Sequence, residues 1–455
     1  MRTARAIAQV SPVQANGEAK LHYALYPDLD PRVADLGFLG AFDPAIQPPA
    51  AGLNPDCDPH HVVMLVVSAL RIDPRVEREA RVLAANGYRV TVICPDISSP
   101  PLHEQPIDWG ANVEFDILGW RAASFINQYP WMHGDLMLEA ALKYRPLTFH
   151  CHDLSTALIG LAAARLVGAR CVCDFHEWYS ENVSWDAAEQ TYVPHPESTR
   201  TMYQAAEALV MSRADEVITV CDSIAQELQK AYPLGQKKVH VIRNVPSLKR
   251  SDAAYPSLRE SLPVKQDQII LLWQGGTGPT RLLEPVIKAL ALAPSIVFAI
   301  RGPSLDLFGD GYRKLAEEAG VGDRLHLLPP VKSADVVAAA EGADIGIWTL
   351  PNLSKNFYFA LPNKIFEYLA AGLPLVCANF PEARAVVDGC GVGETFDPYS
   401  PESIAGALTK MTDAGARSRY AQNVGTALAE LKADQEWSKL VSLYDSIRLR
   451  INQEA

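Results

Sequence analysis

The sequence predicts an α/β protein of two doubly wound domains, each a parallel sheet covered by helices on both faces, on three observations. At 455 residues the chain exceeds what one core holds, since single cores stop growing near about 250–300 residues. Apolar runs of strand length alternate with segments of helical period, the pattern of βαβ units. That alternation halts in the polar, turn-prone stretch Asn244-Val-Pro-Ser-Leu-Lys-Arg-Ser-Asp252 and then starts again.

Residues 1–58 are rich in Ala, Pro and Asp and read as an N-terminal extension without a legible role, with one small packed element expected at 21–30. A first Rossmann-like domain is expected over 59–245, with strands at 62–67, 88–94, 113–118, 147–151, 169–175, 216–221 and 239–242. Asp73-Pro74 opens its first helix, a side-chain cap followed by a residue whose missing N–H has no partner in a first turn anyway. Asn86-Gly87 closes it, and further helices fit 156–167, 201–212 and 223–231. A second Rossmann-like domain is expected over 246–432, with strands at 269–273, 296–300, 324–328, 344–348 and 373–378. Helices at 283–293, 312–319, 334–341 and 363–371 separate them. Trp437, Leu440, Val441, Tyr444 and Ile447 recur at helical spacing, so 433–455 should form a helix packing back towards the first domain. Two such domains facing a central cleft would turn their strand C-terminal ends towards it.

Composition narrows the function. The chain is 48% hydrophobic and 21% charged, as ordinary soluble proteins are, and its net charge of −12 excludes a broad nucleic-acid-binding surface. No CxxC pair occurs among the eight cysteines, and most fall inside predicted strands, so they read as buried free thiols of a reducing compartment. The first residues are too weakly apolar for a secretory signal, and no run of about 18 apolar residues occurs. A cytoplasmic protein is expected, with peripheral contact at the inner face of the membrane left open.

Several strand ends and one helix start carry chemistry. Trp273-Gln-Gly-Gly-Thr-Gly-Pro-Thr-Arg281 joins a strand to a helix, and Gly275 and Gly276 there allow backbone N–H groups to approach an anion. It matches neither GxGxxG nor a Walker loop, but Arg281 follows at once and Arg301 closes the next strand, adding guanidinium groups that grip phosphate oxygens. Pro362-Asn-Lys-Ile-Phe-Glu-Tyr-Leu-Ala-Ala-Gly-Leu-Pro374 opens a helix with Asn363 and Lys364, which suit a phosphate, and Glu367, which suits a ribose diol. By itself a Lys–Glu pair three apart is more often a solvated surface pair. In the first domain His150-Cys-His-Asp153 and Asp174-Phe-His-Glu177 end consecutive strands, making His152, Asp153 and Glu177 the catalytic candidates. Metal binding by the two His–acid pairs is the weaker alternative, for want of a third ligand at a usual spacing. No GxSxG elbow is present for serine hydrolysis.

With these motifs the chain resembles the GT-B fold glycosyltransferases of family 4 (glycosyl transferases group 1), over roughly residues 60–430. Pro362 to Pro374 is similar to the signature of the family's donor domain, and Glu367 falls on the glutamate that binds the donor ribose. Asp73-Pro-Arg-Val-Glu77 with Ala85-Asn-Gly-Tyr-Arg-Val90 resembles the first βα unit, and Ile242-Arg-Asn-Val-Pro246 the interdomain link. His152 matches the acceptor-side histidine beside the reacting sugar, and Arg281 a diphosphate-binding cation. One departure stands out: many members carry a second glutamate eight positions earlier, where this chain has Phe359.

The resemblance implies a retaining transfer of sugar from a nucleoside-diphosphate sugar, a co-substrate, to a glycan or lipid-linked glycan acceptor, with no cofactor and no metal. Cell-surface polysaccharide or glycoconjugate synthesis is the expected setting. The alternatives are a nucleotide-sugar epimerase or phosphorylase of the same fold, or an inactive nucleotide-binding protein. Asp153 and Glu177 are expected to position hydroxyls, not to act as nucleophiles, and base contacts are expected near 328–331. The aromatic stretch 127–133 is expected to pack.

Overall fold

A computed structural model describes residues 54–119, 134–189, 191–232, 237–246, 251–431 and 433–454. The extension up to residue 53, the aromatic stretch at 127–133 and residues 247–250 of the expected linker lie outside the described residues. The chain divides into two compact units, Met1–Ser180 with Pro196–Arg243 and Glu436–Ala455, and Glu181–His195 with Asn244–Gln435.

The first unit carries strands β1 (Asp58–Leu65), β2 (Arg89–Pro95), β3 (Val113–Leu118), β4 (Pro146–His152) and β5 (Arg170–Phe175). Strands β6 (Val183–Asp186) and β7 (Thr191–Pro194) form an antiparallel hairpin that groups with the second unit. Strands β8 (Glu216–Thr219) and β9 (Val239–Val241) complete the first sheet, ordered β3-β2-β1-β4-β5-β8-β9 and parallel throughout. Every residue of β4 is buried, as a strand covered on both faces requires. The final helix, Ala433–Glu454, contributes Trp437, Leu440, Leu443, Tyr444, Ile447 and Ile451 to the core that also holds Val62, Val90 and Leu83.

The second unit is built on β10 (Ile269–Gln274), β11 (Ile296–Arg301), β12 (Leu325–Leu328), β13 (Ile345–Trp348), β14 (Leu375–Ala378) and β15 (Gly393–Phe396). Its parallel order is β12-β11-β10-β13-β14-β15. In each sheet the order reverses once, between β1 and β4 and between β10 and β13, and ligands of such sheets bind beyond the strand C-termini at that reversal.

Local chemistry explains several element ends. The Asp73 side chain accepts the Val76 N–H at 3.2 Å, capping helix Pro74–Ala85 as its sequence predicts. Pro362 is the N-cap of helix Asn363–Ala370 and not a member of its first turn, because its extended ψ of 151° keeps it outside. Gly372 takes φ +76° and lets the Leu373 N–H reach the Tyr368 carbonyl at 2.9 Å, which ends that helix.

Several elements depart from expectation. Helix Leu305–Glu318 starts well before residue 312, because Gly309 and Gly311 inside it break the apolar period. Gly309 serves packing, since a Cβ there would come within 3.0 Å of Leu327 Cδ1. The helix expected at 334–341 shrinks to a 3₁₀ turn and Val336–Ala339. Helix Gly134–Ala141, the β6–β7 hairpin and β15 were not expected. Residues 181–195 fall within the range assigned to the first domain, yet β7 packs on the turn Pro279–Arg281 and Glu181 Oε1 lies 3.9 Å from Lys355 Nζ. Among the described residues no helix is long and apolar enough to cross a membrane.

Candidate functional site

In the second unit the site forms where β10 ends. Gly275 takes φ +138°, and its N–H donates to the Arg301 carbonyl at 2.9 Å. A Cβ on Gly275 would lie 2.4 Å from Lys364 Nζ, and one on Gly302 would lie 1.8 Å from the Gly275 carbonyl oxygen. Only glycines permit this approach. The Trp273 indole donates to the Gly276 carbonyl at 3.2 Å and fixes the turn.

Two cations lie over the two glycines. Lys364, from the first turn of helix Asn363–Ala370, crosses Gly275 and sets its ammonium 5.3 Å from the Trp273 ring centroid. Arg281 lies over Gly276, its Nε 3.7 Å from where a Cβ would stand, and its Nη1 donates to the Thr280 carbonyl and hydroxyl at 3.0 Å each. Burial pushes the Lys364 ammonium down to about 8, with Arg281 adding to the shift and Glu367 opposing it. Tyr368 supports the arrangement from below, its hydroxyl accepting the Gln274 N–H at 2.9 Å.

In the first unit a buried polar network closes around the ends of β4 and β5. Asp174 accepts from Arg75 Nε and Nη2, each at 2.8 Å, a two-pronged pair with both partners buried. Burial opposes its ionisation, but the Arg75 guanidinium and the His176 ring hold the carboxyl well below the usual carboxylate range. Arg75 Nε also lies 3.2 Å from Glu79, and Glu79 lies 3.1 Å from His150 Nε2. The far ring nitrogen of His150 meets the Tyr444 hydroxyl of the final helix at 2.7 Å.

Above this base lie the two other histidines. His152 Nδ1 is 3.2 Å from His176 Nε2, which is itself 3.1 Å from Asp174 Oδ2. Asp153 holds φ +65°, a conformation that L-residues rarely adopt, and outliers of this kind cluster at functional sites. Its N–H donates to the Asp174 carbonyl at 2.8 Å, and its Oδ1 accepts the His176 N–H at 2.9 Å. Burial raises the Asp153 carboxyl to about 6. Burial opposes a charge on His176, but Asp153 and Asp174 raise its ring to about 9. His152 is depressed by burial and by neighbouring His150, and its Nε2 is buried without a hydrogen-bond partner among the described residues.

Glu79, His150, His152 and Asp174 stand close enough to hold a metal ion, their ligand atoms within 4.8 Å of one another. Arg75 already answers both carboxylates, so a divalent ion there would face a guanidinium at contact distance. Cys151, Cys171 and Cys173 also cluster, with sulfur separations of 3.9 and 3.8 Å, but their thiols are pushed well above the ordinary range, with burial the leading cause at Cys151 and Cys173. Protonated, buried sulfurs in contact are core packing.

The expected site residues thus fall in two groups. Gly275, Gly276, Arg281, Lys364 and Glu367 gather at the β10 end and the adjacent helix, with Asn363 as that helix's first residue. Arg301 turns inward, because its Nη1 donates to Gln274 Oε1 at 2.8 Å and to the Ala339 carbonyl, and it braces the loop from behind. His152 and Asp153 join one network, whereas Glu177 is exposed. Sequence reasoning missed Arg75, Glu79, Asp174 and His176 as members. Asp174 and His176 stand within the quoted motif, but Arg75 and Glu79 looked like an ordinary helix face.

Two parallel sheets of seven and six strands, covered by helices, match the architecture of solved GT-B glycosyltransferases. Residues 75–250 match the model of Glycosyltransferase Family 4 and residues 280–413 that of Glycosyl transferases group 1, together more than half of the chain. The chain belongs to this family of glycosyltransferases. It is 25% identical over 267 residues to TuaH of Bacillus subtilis, a candidate teichuronic acid biosynthesis glycosyltransferase, covering 54% of this chain and 66% of TuaH, just under two thirds. A D-inositol 3-phosphate glycosyltransferase of Thermomonospora curvata is 24% identical over 319 residues, 62% of this chain and 72% of that protein. The fold is shared with HepE of Anabaena, solved with UDP and glucose, at TM-score 0.62 and 14% identity over 85% of this chain and all of that one.

Proposed function

We propose that the protein transfers a glycosyl group from a nucleoside-diphosphate sugar to an acceptor hydroxyl, with retention at the anomeric carbon, in cell-surface polysaccharide or glycoconjugate synthesis. The observation that carries the donor assignment is the pair of cations, Lys364 and Arg281, laid over adjacent glycines at a strand end. A diphosphate there meets two positive charges, backbone N–H groups and the start of helix Asn363–Ala370. Glu367, one turn along, faces the ribose diol.

When the bond from the anomeric carbon to the diphosphate oxygen breaks, negative charge grows on the leaving group, and fixed cations stabilise that state more than the ground state. They fill the role that a divalent ion plays elsewhere. His152, with Asp153 and Glu177, serves the sugar and acceptor side by orienting hydroxyls. Arg301 contributes by holding the glycine loop in shape. The teichuronic acid role proposed for TuaH and the UDP and glucose bound by HepE support a polysaccharide setting and a uridine donor. A glycan or lipid-linked glycan is the proposed acceptor, met in the cytoplasm or at the inner membrane face.

Incubating the protein with UDP-, GDP-, ADP- and CMP-sugars, with and without a glycan acceptor, tests this by nucleotide release. Acceptor-dependent release is expected. Release of an isomerised sugar without acceptor would mean an epimerase, and a requirement for inorganic phosphate would mean a phosphorylase. Glu367→Ala should weaken nucleotide binding about tenfold or more, the scale of a lost charged hydrogen bond. Unchanged affinity in a folded variant would remove Glu367 from the site.

A further inference from the structure

Protons in the network of the first unit can be placed from geometry. His176 Nε2 faces two atoms, Asp174 Oδ2 at 3.1 Å and His152 Nδ1 at 3.2 Å. The Arg75 guanidinium, bound to both oxygens of Asp174 at 2.8 Å, keeps that carboxylate ionised and able only to accept. A bare Nε2 on His176 would then set a lone pair against the carboxylate, so this nitrogen carries the proton. His152 Nδ1, opposite the same proton, is the acceptor, because a second proton there would collide with the first and Asp174 Oδ2, 3.7 Å from Nδ1, is too far to take it in a hydrogen bond. At its other nitrogen His176 meets Asp153, whose Oδ2 lies 3.5 Å from Nδ1. With a carboxylate beside each ring nitrogen, the His176 ring is an imidazolium.

We infer that His176 is a positioning residue that locks His152 in the tautomer with its one proton on Nε2, so that His152 meets its ligand as a hydrogen-bond donor and not as a base. Nε2 of His152 is buried with no hydrogen-bond partner among the described residues, and a buried donor left unpaired marks a place for an incoming acceptor. The acceptor fitted to it is a hydroxyl or ring oxygen of a bound sugar. This last step rests on the proposed transfer reaction, but the tautomer does not.

The support extends beyond His176. Asp174 is held by Arg75, and Arg75 is held in turn by Glu79 at 3.2 Å and by the Ile242 carbonyl, to which its Nη1 donates at 3.0 Å. Among the described residues His150 is the other ring beside His152, with ring centroids 4.6 Å apart, and its Nδ1 meets the Tyr444 hydroxyl while its Nε2 lies 3.1 Å from Glu79. In the hydrolase triads a third group fixes the histidine tautomer in the same physical sense, but there the fixed nitrogen leaves a base. Here the fixed nitrogen leaves a donor.

The test is long-range proton–nitrogen NMR of the full chain with ¹⁵N-labelled histidine at pH 7, the signals of the two rings assigned by their loss in His152→Gln and His176→Gln. The expected result is a His152 ring with protonated Nε2 and bare Nδ1, and a His176 ring protonated at both nitrogens. A His152 ring protonated on Nδ1, or charged, would overturn the inference whatever the enzyme assay shows. In activity, His176→Phe should lower transfer about 10- to 100-fold with the donor KM unchanged, the range of one well-placed hydrogen bond. His176→Gln should recover most of that loss, because its amide N–H can donate to His152 Nδ1. Equal losses in the two folded variants with an unaltered His152 signal would also overturn it. If His176→Phe does not fold, the wild-type spectrum decides alone. Should no sugar nucleotide support transfer while the expected spectrum is seen, the reaction assignment fails and the tautomer lock stands.

Discussion

Lys364 shows how a residue that looks solvated in the sequence acquires a task. The i,i+3 spacing to Glu367 suggests a surface pair, but the side chain lies instead across Gly275 towards the Trp273 ring. That placement, set by a glycine 89 positions away, was illegible, whereas the helix carrying it was plain. Its ammonium is depressed from the ordinary 10.5 to about 8 by burial and Arg281, and this fixes the sign of a pH effect. An anion binds the charged form, so above pH 8 binding must take up a proton. Nucleotide affinity should fall as pH rises from 8, approaching tenfold per unit, and calorimetric Kd values between pH 7 and 10 measure it. Lys364→Met should bind more weakly and lose that slope. For the unliganded fold the same depression acts in reverse, costing stability as pH falls from about 10.5 towards 8.

Among elements, the helix that carries Lys364 is seated by contacts that the period of the sequence does not reveal. Ile365, Phe366 and Leu369 form its apolar face as the pattern requires, and all are buried. Tyr368 is buried too, and its ring lies so close to β13 that a Cβ on Gly346 would stand 2.4 Å from its Cγ. Gly346→Ala should therefore destabilise the second unit by about 1–3 kcal/mol, the usual cost of overpacking. It should also weaken nucleotide binding, since a displaced Tyr368 no longer receives the Gln274 N–H. Denaturant unfolding compares it with Gly406→Ala, whose Cβ meets nothing within 4 Å and which should be neutral or slightly stabilising. Equal stability of the two variants would refute the packing account. Glycines hid one element boundary. Gly309 and Gly311 hid the start of their helix, because glycine reads as a turn residue, although at Gly309 a Cβ would crowd Leu327.

At the scale of the whole molecule, the last helix belongs to the first unit although it follows the second in the chain. Trp437, Leu440, Leu443, Tyr444, Ile447 and Ile451 are each less than a tenth exposed, and burying such side chains contributes about 1.5–3 kcal/mol apiece before entropy is charged. Removing residues 433–455 should therefore unfold or loosen the first unit and spare the second. Hydrogen exchange resolved by segment checks this: β1 and β4 should lose protection while β10 and β13 keep it. Loss of protection in both alike would show that the units do not unfold separately.

By itself the sequence determined the two parallel sheets, most of their strands, the glycine loop and the helix with Lys364 and Glu367. These follow from period, capping and turn chemistry, which act between residues close in the chain. Only the tertiary structure decided that Asp174 meets Arg75 99 positions away, that His150 meets Tyr444 294 positions away, and that Arg301 faces inward. Such pairings depend on sheet order and on which strand ends come together, and charge or period in one segment carries no record of its distant partner. For the same reason His152 was legible as a candidate, while the proton it carries was set by His176, Asp174 and Arg75 from three other positions in the fold.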